Sequence, residues 1–437
     1  MATGDALFGR DDLWSRIDHE MSEVLNESEY VFTNAEFVVA SRETPVMPAG
    51  YTLGANDAAV HALAAVGVTI ASLAHNHIGD YGPAGVVQTL DAFEASPIVA
   101  AGIGRSLAAA REAVFYEGQD GRLGVVACCT TWAEEYAASD GGRHNAPRPG
   151  LNPLRWKLSY EVTPEQFDAL RALDEALGTA PAHRETLRIE RKFAGDDSTF
   201  TFGPLAGGLT VHKGDRARLR WQADEQDLAE ICRSIRDAAR RAEAVVASIH
   251  THEGEDDGWY TDLPARFIID SAHAMIEAGA HAVLCHGGHL MRGVEFHQGR
   301  PIFYGLHSLF FDLESGARIP EEMFTRYGLP ANAYPSDLHG MRRRDEDGTP
   351  VGFYSDARFE QSMVVLLDID PVTGAVAVEA TPILLNMNAA LPSHRGMPTI
   401  AKGDDAVAVR DALARLSAPF GTTVGWDAER GRLTFTG

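Results

Sequence analysis

Short β-branched runs alternate with helical patterns along the first third of this chain, which restricts it to a layered α/β framework with helices on the faces of a sheet. The runs are EYVFT at 29–33, VTIASLA at 68–74, IVAAGIG at 98–104 and GRLGVVACCTTW at 121–132. Helical patterns lie between them, through about Asn56 to Val66 and through PAGVVQTLDAF. From 137 to 225 the character changes: GGRHNAPRPGLNPLR is rich in turn formers, and DDSTFTFGPLAGGLTV reads as a small polar hairpin. The core pattern then resumes with a helix from about Asp227 to Glu243, the strand VVASIH, a helix near Leu263 to Ala278 and the strand HAVLC. A hairpin around Gln298 and Gly299 follows, and residues 313–360 read as a mobile surface excursion. Two last strands, QSMVVLLDI and AVAVEATPILL, precede the amphipathic helix DDAVAVRDALARLS, which is expected to end the globule. The organisation expected is a first half over 1–136, an insertion covering the site over 137–225, and a second half over 226–437.

Several of the apolar strands stop abruptly in residues that bind metals. The segments are ThrGlyAsp at 3–5, AsnAlaGlu at 34–36, HisAsnHis at 75–77, HisThrHisGlu at 250–253 and CysHisGlyGlyHis at 285–289. Open α/β sheets place ligands at the carboxyl ends of their strands, so these side chains are positioned to converge. Divalent cations take carboxylate, amide oxygen and neutral imidazole, and Lys and Arg are absent from all five segments. A polar cluster without cations of its own is one that expects a metal.

The rest of the composition narrows the partners. With 62 acidic and 38 basic side chains the formal net charge is −24, which repels polyphosphate backbones and anionic lipid. Nucleic acid and membrane are therefore excluded as expected partners, and a small-molecule substrate is favoured. The start MATGDALFGRDD lacks a secretory pattern, no apolar stretch is long enough to span a bilayer, and the four cysteines have no paired spacing. A cytoplasmic protein with free thiols is expected, its oligomeric state open.

In order along the chain, GlyAsp at 4–5, AsnAlaGlu at 34–36, HisAsnHisIleGlyAspTyrGly at 75–82, HisThrHisGlu at 250–253, CysHisGlyGlyHisLeuMetArgGlyValGlu at 285–295 and ProIlePheTyrGlyLeuHisSerLeuPhePheAsp at 301–312 resemble the CapA-like proteins. That family is named for capsule poly-γ-glutamate synthesis and is similar to the calcineurin-like metallophosphoesterases. SerAlaProPheGlyThr at 417–422 also looks like one branch of it. The resemblance implies a four-layer α/β/β/α sandwich of metallophosphoesterase type with a long insertion and a two-metal centre. It makes Asp5 the first-strand ligand, Glu36 the bridging carboxylate, Asn76 an amide-oxygen ligand, and His250, His286 and His289 imidazole ligands. His252 is a further candidate, although strand alternation points it away from His250. The chain departs from the metallophosphoesterase Asp-x-His motif by placing Leu7 at the His position, and from the family's usual residues at Cys285, His307 and Ser308.

Two bridged divalent ions, of Mn²⁺, Zn²⁺ or Fe²⁺, lower the pKa of a bound water and clamp an oxygen on which charge accumulates. His77, three residues before Asp80, is the expected proton donor to the leaving group, with Asp80 orienting it. Arg292 and His307 are expected substrate contacts. The function expected is a metal-dependent hydrolase of a small soluble substrate at an amide-type carbonyl. Phosphoester cleavage at the same centre, or a non-catalytic role in capsule assembly, stays open beside it.

Overall fold

In a computed structural model, structure is described for residues 1–47, 51–191, 195–204, 207–316, 319–330 and 332–437. A ten-stranded mixed sheet runs in the order Thr423–Asp427, Arg432–Thr436, Val376–Leu384, Gln361–Ile369, Ala2–Leu7, Phe32–Ala35, Ile70–Ser72, Val99–Ala101. Ser308–Phe311 also pairs with Ala2–Leu7, and Thr399–Ile400 with Val376–Leu384. A six-stranded sheet runs Val294–His297, Arg300–Phe303, Ala282–Gly287, Ala244–Thr251, Gly121–Cys129, Val114–Gly118. The central strands of the six-stranded sheet are parallel, as is the half of the large sheet that runs from Ser308–Phe311 and Ala2–Leu7 to Val99–Ala101, while its other half is antiparallel.

The period-two alternation of strand side chains divides the six-stranded sheet between two cores. Val125, Ala127, Val246, Ala282 and Leu284 join a core that also holds Ala2, Phe32 and Ile70 of the large sheet. Their neighbours Val126, Cys128, Val245, Ala247, Val283 and Cys285 pack instead with Ile231 and Ile235 of helix Glu225–Ala238 and with Ile268, Ala272 and Met275 of helix Arg266–Glu277. Helices Ala58–Ala65, Gly82–Glu94 and Asp404–Ser417 bury Leu63, Phe93 and Leu413 in the first core. Buried β-branched runs flanked by helices with one apolar face are what this packing requires.

Three stretches differ from the sequence reading. Residues 156–223 hold the expected hairpin, Thr199–Phe202 with Leu209–Lys213, but within a four-stranded sheet of their own. Two helices, Pro164–Ala176 and Thr179–Ile189, accompany it. Trp156 and Trp221 stack on Phe267, which fixes this unit to the second core. The segment 313–360 is not a bare excursion: helices Glu321–Arg326 and Pro335–Arg343 bury Met323, Phe324 and Leu338 together. The helix Asp404–Ser417 does not end the globule, because the hairpin Thr423–Asp427 and Arg432–Thr436 follows and completes one edge of the large sheet. Among the described residues, no helix is long and apolar enough to cross a membrane.

Candidate metal centre

Strand register puts the polar residues face to face. Asp5 stands beside Asn34 on the large sheet, and His250 beside His286 on the six-stranded sheet. His250 and His286 share the strand parity of Val246 and Leu284, so they point into the core between the sheets. Gly4 makes the approach possible: a Cβ there would lie 2.1 Å from the carbonyl oxygen of His307, which accepts the Asp5 N–H at 2.9 Å.

Two groups of buried donor atoms result. Asp5, His250 and His286 form one, and Asp5, Glu36 and His289 the other; within each group the donor atoms all lie within 4.8 Å of one another. Asp5 belongs to both, so Asp5 rather than Glu36 is the carboxylate common to the two groups. Asp5 Oδ1 is 3.2 Å from His286 Nδ1 and 3.8 Å from His250 Nδ1. Asp5 Oδ2 is 3.3 Å from His289 Nδ1, and Glu36 Oε1 is 3.8 Å from His289 Nε2. The far side of each histidine on the six-stranded sheet has its own partner: His250 Nε2 meets Asn76 Oδ1 at 2.9 Å, and His286 Nε2 meets Ser248 Oγ at 2.7 Å. These outward contacts of Nε2 leave Nδ1 of both rings on the side of Asp5, 3.2 Å from each other, and a partner on the far nitrogen is what orients metal-binding histidines. Asn76, expected as an amide-oxygen ligand, thus stands with its Oδ1 against the His250 ring.

Electrostatics agree with a centre built for cations. Burial raises the Asp5 carboxyl pKa, but the facing imidazoles of His286, His289 and His250 outweigh it and hold the group well below the usual range. Burial, then the neighbouring Asp5 charge, pushes Glu36 well above it. Burial lowers His75, His250 and His252 well below the ordinary imidazole value and takes His307 down to about 3. Neutral imidazole is the form that binds a metal. Both Glu36 oxygens, Asn34 Oδ1, His75 Nε2 and His289 Nδ1 are buried without a hydrogen-bond partner. Unpartnered buried polar atoms cost about 1–3 kcal/mol each, and a divalent ion is the species that satisfies several at once. The donor set therefore fits a metal. His289 and His307 also hold left-handed backbone, φ 51° and 62°, a conformation that persists in non-glycine residues where the surroundings enforce it.

The remaining expected residues fall around this pair of groups. His77 Nδ1 lies 2.9 Å from Asp80 Oδ2, which also accepts the Leu53 N–H at 2.8 Å, and His77 Nε2 faces Glu36 Oε1 at 3.9 Å. His252 lies beside the second group, its Nδ1 3.1 Å from Thr131 Oγ1 and its ring against Trp259. Glu253 is saturated by the hydroxyls of Thr130, Thr131 and Thr251, so it holds the strand end together. His307 is buried with neither ring nitrogen hydrogen-bonded, its ring edge-on to Phe311.

Arg292 corrects the sequence reading. Expected to meet a substrate anion, it is buried and donates to the main-chain oxygens of Thr261, Glu253, His252 and Trp259 at 3.1–3.2 Å. Burial lowers its pKa to about 10, which leaves it charged at neutral pH. Arg292→Ala would strand four carbonyls, so we expect a loss of at least about 3 kcal/mol in urea denaturation, rather than a change in KM alone. Sequence reasoning passed over Asn34, His75 and Ser248. The first two stand inside the segments already quoted; Ser248 is marked only by its strand parity with His250.

These features define a class: an α/β protein with a buried, histidine-rich, two-carboxylate centre between the ends of two sheets. The chain belongs to the bacterial capsule synthesis protein family PGA_cap, whose family model matches residues 1–312. Two proteins of Sinorhizobium fredii (strain NBRC 101917 / NGR234), "Uncharacterized protein y4sH" and "Uncharacterized protein y4uA", are each 29% identical over 368 residues, covering 83% of this chain and 75% of theirs. A crystal structure of a hypothetical protein from Thermus thermophilus aligns over 88% of this chain and 98% of its own, with 12% identity and a TM-score of 0.39.

Proposed function

We propose that this protein is a divalent-metal-dependent hydrolase of a small soluble substrate, acting at an amide-type carbonyl. The observation that carries the reading is the sharing of Asp5 between two buried donor groups, which is what a pair of ions bridged by one carboxylate requires. Asp5, His250 and His286 would hold one ion and Asp5, Glu36 and His289 the other, with Mn²⁺, Zn²⁺ or Fe²⁺ suited to these donors. When bound, such ions supply Lewis acidity and a nucleophile at neutral pH. In this reading the framework is a four-layer α/β/β/α sandwich of metallophosphoesterase type, with the segment 137–225 inserted over the site. Four buried free thiols suit a reducing, cytoplasmic setting.

The chain's own contribution to the chemistry is proton handling and orientation. Asp80 holds His77 by Nδ1, which leaves Nε2 on the side of Glu36, where it serves a leaving group. His77→Ala is expected to lower kcat by about 10²–10⁴ while leaving metal content unchanged, which single-turnover kinetics and metal analysis would check together. Arg292 is committed to carbonyls and so does not bind a phosphate, which favours carbonyl over phosphoester cleavage; the family's capsule association supports a γ-linked amide.

The test is a parallel screen of γ-glutamyl amides and phosphoesters with Mn²⁺ or Zn²⁺, with and without chelator. Chelator-sensitive release of an amine supports the reading. Turnover of phosphoesters alone would replace the carbonyl by phosphorus, and no metal-dependent turnover in either panel would favour a non-catalytic binding role.

A further inference from the structure

A second cluster of metal-type donors lies outside the Asp5 centre and shares no residue with it. His273 and Glu277 sit four apart on helix Arg266–Glu277, and Glu295 and His297 two apart on strand Val294–His297. A spacing of four on a helix and of two on a strand each places both side chains on one face. Here the two faces meet. His273 Nε2 is 2.9 Å from Glu295 Oε1, and His297 Nε2 is 3.3 Å from Glu277 Oε1. The two imidazole rings lie parallel, 7° apart with centroids at 3.9 Å, and donor atoms of His273, Glu295 and His297 all lie within 4.8 Å of one another. Glu295 is fixed from behind by buried Tyr304, whose hydroxyl donates to Oε2 at 2.5 Å.

We propose that His273, Glu295 and His297 form a second, outer zinc site that staples helix Arg266–Glu277 to strand Val294–His297. Donors about 2.0–2.2 Å from a tetrahedral ion stand roughly 3.4 Å from one another, so the observed separations are closed by side-chain rotation that opens the parallel stack and brings the ion into both ring planes. Two imidazoles and one carboxylate are a borderline-soft set that selects zinc over magnesium or calcium. Tyr304 plays the part of the outer hydrogen-bond partner that holds a ligating carboxylate in place. Glu277, more than half exposed, stands at the open side where a fourth donor or water completes the shell.

The probe is zinc chloride, equilibrated by dialysis with the full chain and quantified by plasma mass spectrometry. Wild type is compared with His273→Ala, His297→Gln and Asp5→Asn. The site predicts one equivalent less zinc in each of the two histidine variants and retention of that equivalent in Asp5→Asn, so failure here and failure of the Asp5 centre are told apart. His297→Gln keeps a polar side chain at a partly exposed position and guards against a folding defect in His273→Ala. As a second readout, zinc should raise the Tm of wild type more than that of His297→Gln. Equal zinc binding and equal Tm shifts in wild type and both histidine variants would overturn the proposal.

Discussion

Asp5→Asn is expected to strip the protein of metal at the buried centre and abolish metal-dependent turnover. Asp5 is the one residue common to both donor groups among the described residues, so its loss removes a charged donor from each ion at once. Loss of an outer-sphere partner alone costs about 10–100-fold in metal affinity, so removal of a shared ligand should cost at least the upper end of that range. The fold should tolerate the change: Asn has the same shape, its amide oxygen still accepts the Gly287 N–H that Asp5 Oδ2 takes at 2.9 Å, and Asn34, which donates to Asp5 Oδ1, can turn its own unpartnered Oδ1 to the new amide. Metal analysis with circular dichroism separates loss of ligand from loss of fold. His289→Ala is the control, because it belongs to one group only and should leave the other ion in place.

Glu36→Gln should move metal affinity and metal-free stability in opposite directions. Both Glu36 oxygens are buried without partners, and burial followed by the Asp5 charge raises the carboxyl pKa. Without metal the charged form of this residue is a liability beside Asp5, so the uncharged Gln should stabilise the chelator-treated protein at neutral pH while weakening metal binding. The sign of the pH dependence follows from the raised pKa. Between the unfolded value of 4.5 and the higher folded value, the native state holds a proton that the unfolded chain has released. The contribution of Glu36 to stability therefore falls as pH rises from 4.5, and the advantage of Gln grows over the same range. Urea titrations of both proteins in chelator at several pH values would show it. A destabilised metal-free Glu36→Gln would mean that Glu36 supports the fold instead of a metal.

Much of the framework was legible because local and global signals agree in it. Apolar β-branched runs such as VVASIH and HAVLC are buried on both faces, and each stops where polar residues begin, so sequence order alone locates the strand ends. The parity that brings His250 beside His286 follows from strand register, which depends on the facing strand and is invisible in one segment. The common role of Asp5 was hidden for the same reason: it depends on the gap between two sheets. Arg292 illustrates the limit most clearly. A charged residue after a histidine motif suggests a substrate, but its four acceptors are backbone oxygens between 252 and 261, which only the folded loop presents. The helix Thr179–Ile189 escaped notice because it is polar on average and buries no residue. The final hairpin was missed because Thr423–Asp427 is only half buried along an edge.

Metal content of protein purified without chelator or a histidine tag, in the His297→Gln background that removes the outer site, tests the central claim most directly. The dinuclear account predicts about two equivalents of divalent metal per chain, falling sharply in Asp5→Asn and to about one in His289→Ala. Less than about a tenth of an equivalent, unchanged by added Mn²⁺ or Zn²⁺, would contradict it, since donors of this type bind such ions well above that level when they form a centre.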